Sequence, residues 1–388
     1  MQQDINTLQK QTLTQAKWTV ALGFATQGLG YATVMTALPV IKSRFKLSDD
    51  QLSIIILAVC ISAACGSLLA DRLAVKFGSR IAITLGFLFE ACGIFTATFS
   101  HQLYIMVLGF VIYGLGLGCI DAALNMQAVM IEQKLDRSIL GGFFACYTAA
   151  AFSGAMLMSA TVSTTFGATA ALITAATMTT VIALLSSKYL LRIKQAIITT
   201  NTTHIKTALP TKAIFAYGMI ILIAFTVDSA ISTWSTIYLK DTLASSATLA
   251  PLGYAAYQMG ILLTRLSADR ILRVKSAVSW AVTTTLIGVL GCLLAGISQH
   301  LLWVIIGFAL SGVAVGALVP LTFSAAGKLD PNRRDEILAR VNIFNYGGAI
   351  LGAVLVGLLS SPIGYGPAFV MLGIGLLCIL FFKSYFKT

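Results

Sequence analysis

Charged residues are scarce in this sequence. Only 10% of its 388 residues are Asp, Glu, Lys or Arg, whereas 57% are hydrophobic. Soluble domains are usually about a quarter charged and about half apolar, and a soluble chain this apolar would expose large apolar patches. The composition therefore excludes a soluble enzyme, a nucleic-acid-binding domain and a disordered chain. It indicates a protein whose solvent is the lipid bilayer.

Sequence motifs for chemistry are missing as well. The seven cysteines form no Cys-x-x-Cys pair, and no histidine stands near them at metal-ligand spacing. No Walker-type phosphate loop is present, which argues against ATP as the energy source. The apolar segments also carry no nucleophile–base set. We therefore expect a protein that is not an enzyme and that holds no cofactor or metal.

Long apolar segments dominate what is present. A membrane-spanning helix needs about 20 apolar residues, and twelve such segments can be bracketed. They run near 17–40, 51–70, 80–99, 102–128, 138–162, 167–190, 213–238, 248–267, 276–297, 301–326, 336–360 and 363–384. The predicted fold is an all-α membrane protein with twelve transmembrane helices in two pseudo-symmetric six-helix bundles. The longest connection sets the domain boundaries, which are 1–190 for the first bundle, 191–212 for a cytoplasmic linker and 213–388 for the second bundle.

The basic residues predict the orientation. With the amino end in the cytoplasm, every one of the 26 Lys and Arg residues except Lys42, Arg44, Lys46 and Lys240 falls on the cytoplasmic side. Lys and Arg resist translocation, so this bias sets topology. We expect a multi-pass protein of a bacterial inner membrane with both termini in the cytoplasm. The net charge of +12 then needs no nucleic-acid partner.

The two halves of the chain repeat each other. Glycines of the fourth span return in the tenth with a constant shift of 198, pairing 109 with 307, 114 with 312 and 118 with 316. The next span keeps the shift, since Gly154 pairs with Gly352. A duplicated six-helix unit explains this pattern. Two parallel halves around a central cavity suit a transporter that rocks between two open states.

The loop after the second span carries a family resemblance. Its sequence DRLAVKFGSR (71–80) resembles the loop pattern Gly-x-Leu-Ala-Asp-Arg-x-Gly-x-Arg of the major facilitator superfamily. Lys76, Gly78 and Arg80 match the end of the pattern, and Asp71 lies one helical turn before the position of the missing aspartate. In the second half, the corresponding pair is Asp269 and Arg270. The resemblance implies that these six residues gate the cytoplasmic side, whereas a solvated loop that only sets topology is the alternative.

The fourth span narrows the resemblance. Its sequence GLGLGCIDAALN (114–125) is similar to the fucose-permease-like branch, in which a glycine-rich helix carries an acid and an asparagine four residues later. Asp121 and Asn125 occupy these positions and share one helix face. The resemblance implies that Asp121 takes part in proton coupling and substrate binding, and we predict that Asn125 binds the substrate. The acid that this branch carries before the proline of the first span is absent here.

Three acids lie well inside the spans, namely Glu90, Asp121 and Asp228. An ionised carboxylate at the centre of a bilayer costs about 2.5–3.5 kcal/mol on insertion scales. Such an acid either binds and releases protons or faces a cationic ligand, and structural hydrogen bonding is the alternative. No Lys or Arg lies mid-span, so we expect no cationic partner. We predict proton coupling for all three acids.

Amide and phenol side chains on the presumed cavity helices form a second set. We predict that they bind the solute, with interhelical packing as the alternative for each; they are Gln27, Tyr31, Tyr147, Tyr257, Gln258, Asn342, Asn345 and Tyr346, together with Asn125. Directional hydrogen bonds and aromatic faces suit a hydroxylated or zwitterionic solute. We expect Trp234 and Tyr238, by contrast, in the aromatic belt at the membrane interface.

These features predict a proton-coupled secondary active transporter. It would carry a small polar solute, sugar-like or another metabolite, by alternating access, with uptake favoured. Its partners would be that solute, protons and the lipid bilayer, and the chain would act as a monomer. The main alternative is a proton-driven exporter of drugs, metabolites or siderophores. A non-transporting membrane receptor and a membrane enzyme are further alternatives.

Overall fold

The computed structural model describes residues 2–135, 139–191, 209–330 and 333–387. The side chains of residues 2–12, Asp269 and Asp335 lie outside the described part, as does most of the predicted linker. The helices are α1 (Gln2–Phe45), α2 (Asp49–Phe77), α3 (Ser79–Phe99), α4 (Leu103–Leu135), α5 (Leu140–Thr161), α6 (Gly167–Tyr189), α7 (Thr211–Asp241), α8 (Leu252–Leu272), α9 (Ala277–Ile297), α10 (Leu301–Ala326), α11 (Arg334–Ile363) and α12 (Tyr365–Leu377), followed by a 3-10 helix (Cys378–Phe386).

The predicted all-α membrane fold with twelve helices is confirmed. Within the described residues, ten helices are long and apolar enough to cross a membrane, and α1 and α8 overlap the two remaining predicted spans. Several helices run past the apolar segments that located them. The α4 helix continues to Leu135 and α7 continues to Asp241, because backbone hydrogen bonding does not stop where the side chains become polar.

The chain divides into two compact units. The first contains α1 up to Ala37 and the chain from Ala58 to the end of α6. The second contains α7 to the carboxyl-terminal 3-10 helix, and it also includes the segment Leu38–Leu57. The end of α1 and the start of α2 therefore group with helices that lie far away in sequence.

The internal repeat is visible in helix packing. In the first unit, a Cβ atom on Gly93 of α3 would collide with the backbone of Gly109 and Tyr113 on α4. In the second unit, a Cβ atom on Gly291 of α9 would collide with the α10 backbone at the positions 198 residues further on. Small residues allow this close backbone approach, which helps to hold helices together in lipid. The two units thus share one packing scheme, as the shifted glycines predict.

The prediction for Trp234 and Tyr238 is wrong. Trp234 is fully buried and donates a hydrogen bond from Nε1 to the Ala353 carbonyl on α11, at 2.8 Å. Tyr238 is also buried, and its hydroxyl donates to the Ala295 carbonyl on α9, at 3.0 Å. Buried Trp and Tyr generally satisfy their polar atoms in this way. Both side chains therefore pack inside the second unit and join α7 to α9 and α11.

Candidate functional site

Asp121 lies in the middle of α4, yet its side chain is exposed. The glycine-rich stretch before it packs against α2, because a Cβ atom on Gly118 would collide with the Ala63 carbonyl. The amide of Gln27 on α1, which is itself buried, lies within hydrogen-bonding reach of the Asp121 carboxylate. Asp121 forms no ion pair within the described residues. The site is therefore an accessible carboxyl group, inside an apolar helix, that faces a neutral amide.

Asn125 forms a hydrogen bond to the backbone of its own helix. Its Nδ2 atom donates to the backbone carbonyl of Asp121 at 2.8 Å. The two side chains share a helix face, as predicted, but this hydrogen bond ties Asn125 to its own helix. The carboxylate of Asp121 stays directed to Gln27.

Glu90 on α3 is fully buried, and neither carboxyl oxygen has a hydrogen-bond partner within the described residues. Its Oε1 atom lies 2.7 Å from the position that a Cβ atom on Gly30 of α1 would take. The hydroxyl of Tyr113 on α4, also buried, likewise lacks a partner there. Buried polar groups without partners are rare and are often found at functional or strained positions.

Tyr31 and Tyr147 lie in the same unit and are both half-buried. Tyr147 packs against a hydrophobic core formed by α1, α4, α5 and their neighbours. Its backbone also lies where a Cβ atom on Gly28 of α1 would fall, so α1 and α5 are in close contact.

Asp228 on α7 is half-buried and accepts a hydrogen bond from Tyr257 on α8. The Tyr257 hydroxyl lies 2.6 Å from Oδ1 of the carboxylate, and the tyrosine itself is fully buried. Arg265, two turns further along α8, attracts the same carboxylate electrostatically. The expectation of no cationic partner is therefore wrong for Asp228. The basic-residue pattern predicts Arg265 at the cytoplasmic end of the eighth span, whereas in the structure α8 continues past Arg265 to Leu272.

Three further polar residues of the second unit form hydrogen bonds within their own helices. Gln258 is buried, and its Nε2 atom donates to the Tyr254 hydroxyl at 2.7 Å, one turn earlier on α8. On α11, Asn345 donates to the Asn342 side chain at 3.3 Å, and Tyr346 is half-buried. The structure thus brings Tyr257 to Asp228, whereas it directs Gln258 to another tyrosine.

Four of the six predicted gating residues lie around the junction of α2 and α3. Asp71 and Lys76 are exposed on the last turns of α2, and Arg80 lies in the first turn of α3. Gly78 has φ of 96°, and its amide donates to the Leu73 and Ala74 carbonyls, which ends α2. A side chain is disfavoured at this φ, which explains the glycine. In the second unit, Arg270 is exposed on α8, whereas the Asp269 side chain lies outside the described part.

Sequence reasoning missed several polar contacts. Gln127 is fully buried on α4 and donates to the Ser79 hydroxyl at 3.0 Å and to the Leu191 carbonyl at 2.9 Å. A glutamine near the end of an apolar segment gave no signal for this role. Sequence analysis also assigned no role to Lys42, which forms ion pairs with Asp49 and Asp241. The sequence offers one hint, because Lys42 is among the few basic residues placed on the non-cytoplasmic side.

Comparison with known proteins assigns the family. A model of the Major Facilitator Superfamily matches residues 20–334 and 268–388. An uncharacterized MFS-type transporter of Yersinia pestis is 24% identical over 360 residues, which cover 92% of each chain. The chain therefore belongs to the Major Facilitator Superfamily. It is a multi-pass membrane protein of a transporter family, and this family is not enzymatic.

Solved structures agree on the fold. A variant of the nucleoside transporter NupG has a TM-score of 0.73 at 12% identity, over 97% of this chain and 100% of its own. The human organic anion transporter MFSD10 has a TM-score of 0.72 at 13% identity, over 96% of this chain and 99% of its own. At these identities, the likeness shows the shared fold and leaves the solute open.

Proposed function

We propose that this protein is a proton-coupled secondary transporter that takes up a small polar solute by alternating access. It acts as a monomer in a bacterial inner membrane, with both termini in the cytoplasm. Of the three acids inside the spans, Asp121 carries the coupling proton. Asp228 and Glu90 are the other candidates.

The environment of the Asp121 carboxyl group is the observation that supports this proposal most. Its carboxyl group is accessible, lies mid-span and faces a neutral amide. An ionised carboxylate in this position is costly unless water or a cation reaches it. A change in water access between two conformers therefore changes how strongly the group holds a proton. Through that difference, a proton can shift the balance between the conformers.

The side chains near the acids support a hydroxylated or zwitterionic solute. Amides and phenols supply directional hydrogen bonds, and aromatic faces supply apolar contact. Gln27 lies beside Asp121, and Tyr257 lies beside Asp228. The Asp121 and Asn125 pair also favours membership of the fucose-permease-like branch, so sugars are the first solutes to test. Nucleosides and organic anions are included because two structural relatives are a nucleoside transporter and an organic anion transporter.

The experiment is transport by the purified protein in liposomes. The probes are radiolabelled sugars, amino acids, organic acids, amines and nucleosides, selected beforehand by thermal stabilisation. A pH gradient is imposed in each direction. We expect one probe class to accumulate on the side to which protons flow, and we expect a protonophore to abolish this accumulation.

The direction of accumulation distinguishes the two modes. Movement of solute against the proton flow would establish the exporter instead of the uptake system. Accumulation that ignores the pH gradient would refute proton coupling. Replacement of Asp330, an acid in the loop after α10, by Asn serves as the control for variants of the acids in the spans, and it should leave transport unchanged.

A further inference from the structure

A charged cluster joins distant parts of the chain within the second unit. The Nζ atom of Lys42, near the end of α1, lies 2.6 Å from Oδ1 of Asp49 and 2.5 Å from Oδ2 of Asp241. Asp49 begins α2, only seven residues away, whereas Asp241 ends α7, 199 residues away. Lys42 and Asp49 are mostly buried, with 17% and 18% of their side chains exposed. We call these three residues the Lys42 latch.

Polar contacts with α11 surround the latch. Ser360 donates to Oδ2 of Asp49 at 3.0 Å, and Ser361 donates to Oδ1 of Asp50 at 3.2 Å. Each serine is 311 residues from its partner. The start of α2 is therefore bonded to α11 by two hydrogen bonds, besides the ion pair with α7.

A tight packing contact lies beneath the polar groups. Ser53 on α2 is fully buried, and a Cβ atom on Gly357 of α11 would collide with its Oγ atom and with the Trp234 ring. Glycine is required here because α2, α7 and α11 leave no room for a side chain. Separation of α2 from α11 would expose Ser53, so this residue can report on the contact.

The surroundings of Lys42 favour its charged form. Burial alone would lower the pKa of Lys42, but hydrogen bonds and attraction to Asp241 and Asp49 outweigh it, so the pKa is raised above the ordinary 10.5. The stabilisation is therefore fully present below pH 10.5 and is lost only as the pH rises through the raised pKa. Lys42 remains charged in the physiological range, so its own titration does not open the latch there.

We propose that the Lys42 latch holds the segment 38–57 against α7 and α11, an arrangement that we call the closed form, and that Lys42 has one permanent and one releasable partner. Asp49 follows Lys42 by a short loop and stays with it in every conformer. Asp241 pairs with Lys42 only while the segment 38–57 packs on α7 and α11. Opening therefore breaks one ion pair and never leaves Lys42 without a partner. This inference rests on alternating access, as proposed above.

The division of roles predicts opposite effects for the two carboxylates. Loss of Asp241 removes a contact that exists only in the closed form, which favours opening. Loss of Asp49 leaves the closed pair with Asp241 intact but strands Lys42 as an unpaired charge in the open form, which favours closure. An Asn at position 49 still offers an oxygen to Ser360, so the hydrogen bond to α11 is retained.

The test measures the accessibility of position 53. Ser53→Cys is introduced, the protein is placed in lipid nanodiscs, and the rate of modification by a charged maleimide is followed by mass spectrometry of the peptide. No solute or pH gradient is present. In this background we compare Lys42→Gln, Asp241→Asn and Asp49→Asn. Lys240→Gln is the control, because Lys240 is the exposed residue beside Asp241.

We expect Lys42→Gln and Asp241→Asn to speed modification about two- to fivefold, the shift that a partly exposed ion pair supports. Asp49→Asn should slow modification, and Lys240→Gln should leave it unchanged. Unchanged rates in Lys42→Gln and Asp241→Asn would overturn the latch. Faster modification in Asp49→Asn would overturn the permanent partnership. Because no transport is measured, this result is independent of the proton-coupling proposal.

Discussion

The two units share their helix packing but differ in where they carry a buried acid. The α3–α4 contact at Gly93 and the α9–α10 contact at Gly291 involve the same positions, 198 residues apart. The same shift relates Gly30 to Asp228 and Glu90 to Gly288. In the first unit, an acid on α3 thus faces a glycine on α1, whereas in the second unit the acid stands on α7. Duplication preserved the backbone contacts and left the polar side chains free to diverge.

The acids also differ in what compensates their charge. Asp228 accepts a hydrogen bond from Tyr257 and is attracted by Arg265. Asp121 has only the neutral amide of Gln27 within reach among the described residues. A hydrogen bond and a nearby cation favour the charged form of a carboxyl group, and a carboxyl group without a cation loses that support. On this contrast we base the proposal that the first unit exchanges the proton and the second positions the solute.

Asp121→Asn tests the contrast most strongly. We expect accumulation driven by a pH gradient to fall at least about 100-fold, which corresponds to about 2.7 kcal/mol of lost coupling. Exchange of solute between equal pools should persist, because it needs no net proton movement. Both rates are measured in liposomes with the same probe. Full accumulation by this variant would move the coupling proton elsewhere.

The shared packing is tested by a matched pair, Gly93→Ala and Gly291→Ala. Each Cβ atom would meet backbone on the facing helix, which cannot move aside as a side chain can. We expect each variant to lose about 1–3 kcal/mol of stability against unfolding in detergent. Gly375→Ala on α12 is the control, since its Cβ atom would meet nothing within 4 Å. A loss in only one of the pair would show that the repeat is not equivalent in energy.

Most of the fold could be predicted from the sequence, because hydropathy reports directly on contact with lipid. The twelve helices and the repeated glycines followed from that signal and from the constant shift. The helix ends were less predictable, because a helix continues beyond its apolar part. Arg265 is an example, since α8 continues past this residue to Leu272. The burial of Trp234 was missed because hydropathy does not reveal which face of a helix meets its neighbours.

The candidate site was only partly predictable, again because hydropathy does not reveal which faces of the helices meet. An acid in an apolar span is conspicuous, so Asp121 and Asp228 could be selected from the sequence alone. Their partners Gln27 and Tyr257 depend on how helices rotate against each other. Lys42 and Asp241 are 199 residues apart, and only the folded chain brings them together.

Asp228→Asn and Tyr257→Phe test the second acid. The first removes the attraction to Arg265, and the second removes the 2.6 Å hydrogen bond. We expect each to reduce transport about tenfold, equivalent to one hydrogen bond to a charged group. Driven accumulation and exchange should fall together, because positioning of the solute serves both. If Asp228→Asn abolished driven accumulation and spared solute exchange, the coupling proton would belong to Asp228 and not to Asp121.

Glu90→Gln should have the smallest effect of these variants, and it tests whether a second acid of the first unit takes part in proton exchange. Glu90 is fully buried, and its carboxyl oxygens have no partner within the described residues. Glutamine has nearly the same shape, so the packing against Gly30 is kept and no hydrogen bond is lost. We expect driven accumulation and exchange both to stay within about twofold of the parent. Loss of driven accumulation with exchange retained would instead make Glu90 a second proton site. Glu90 is buried in this conformer, so its carboxyl group would then have to become accessible to water in another conformer.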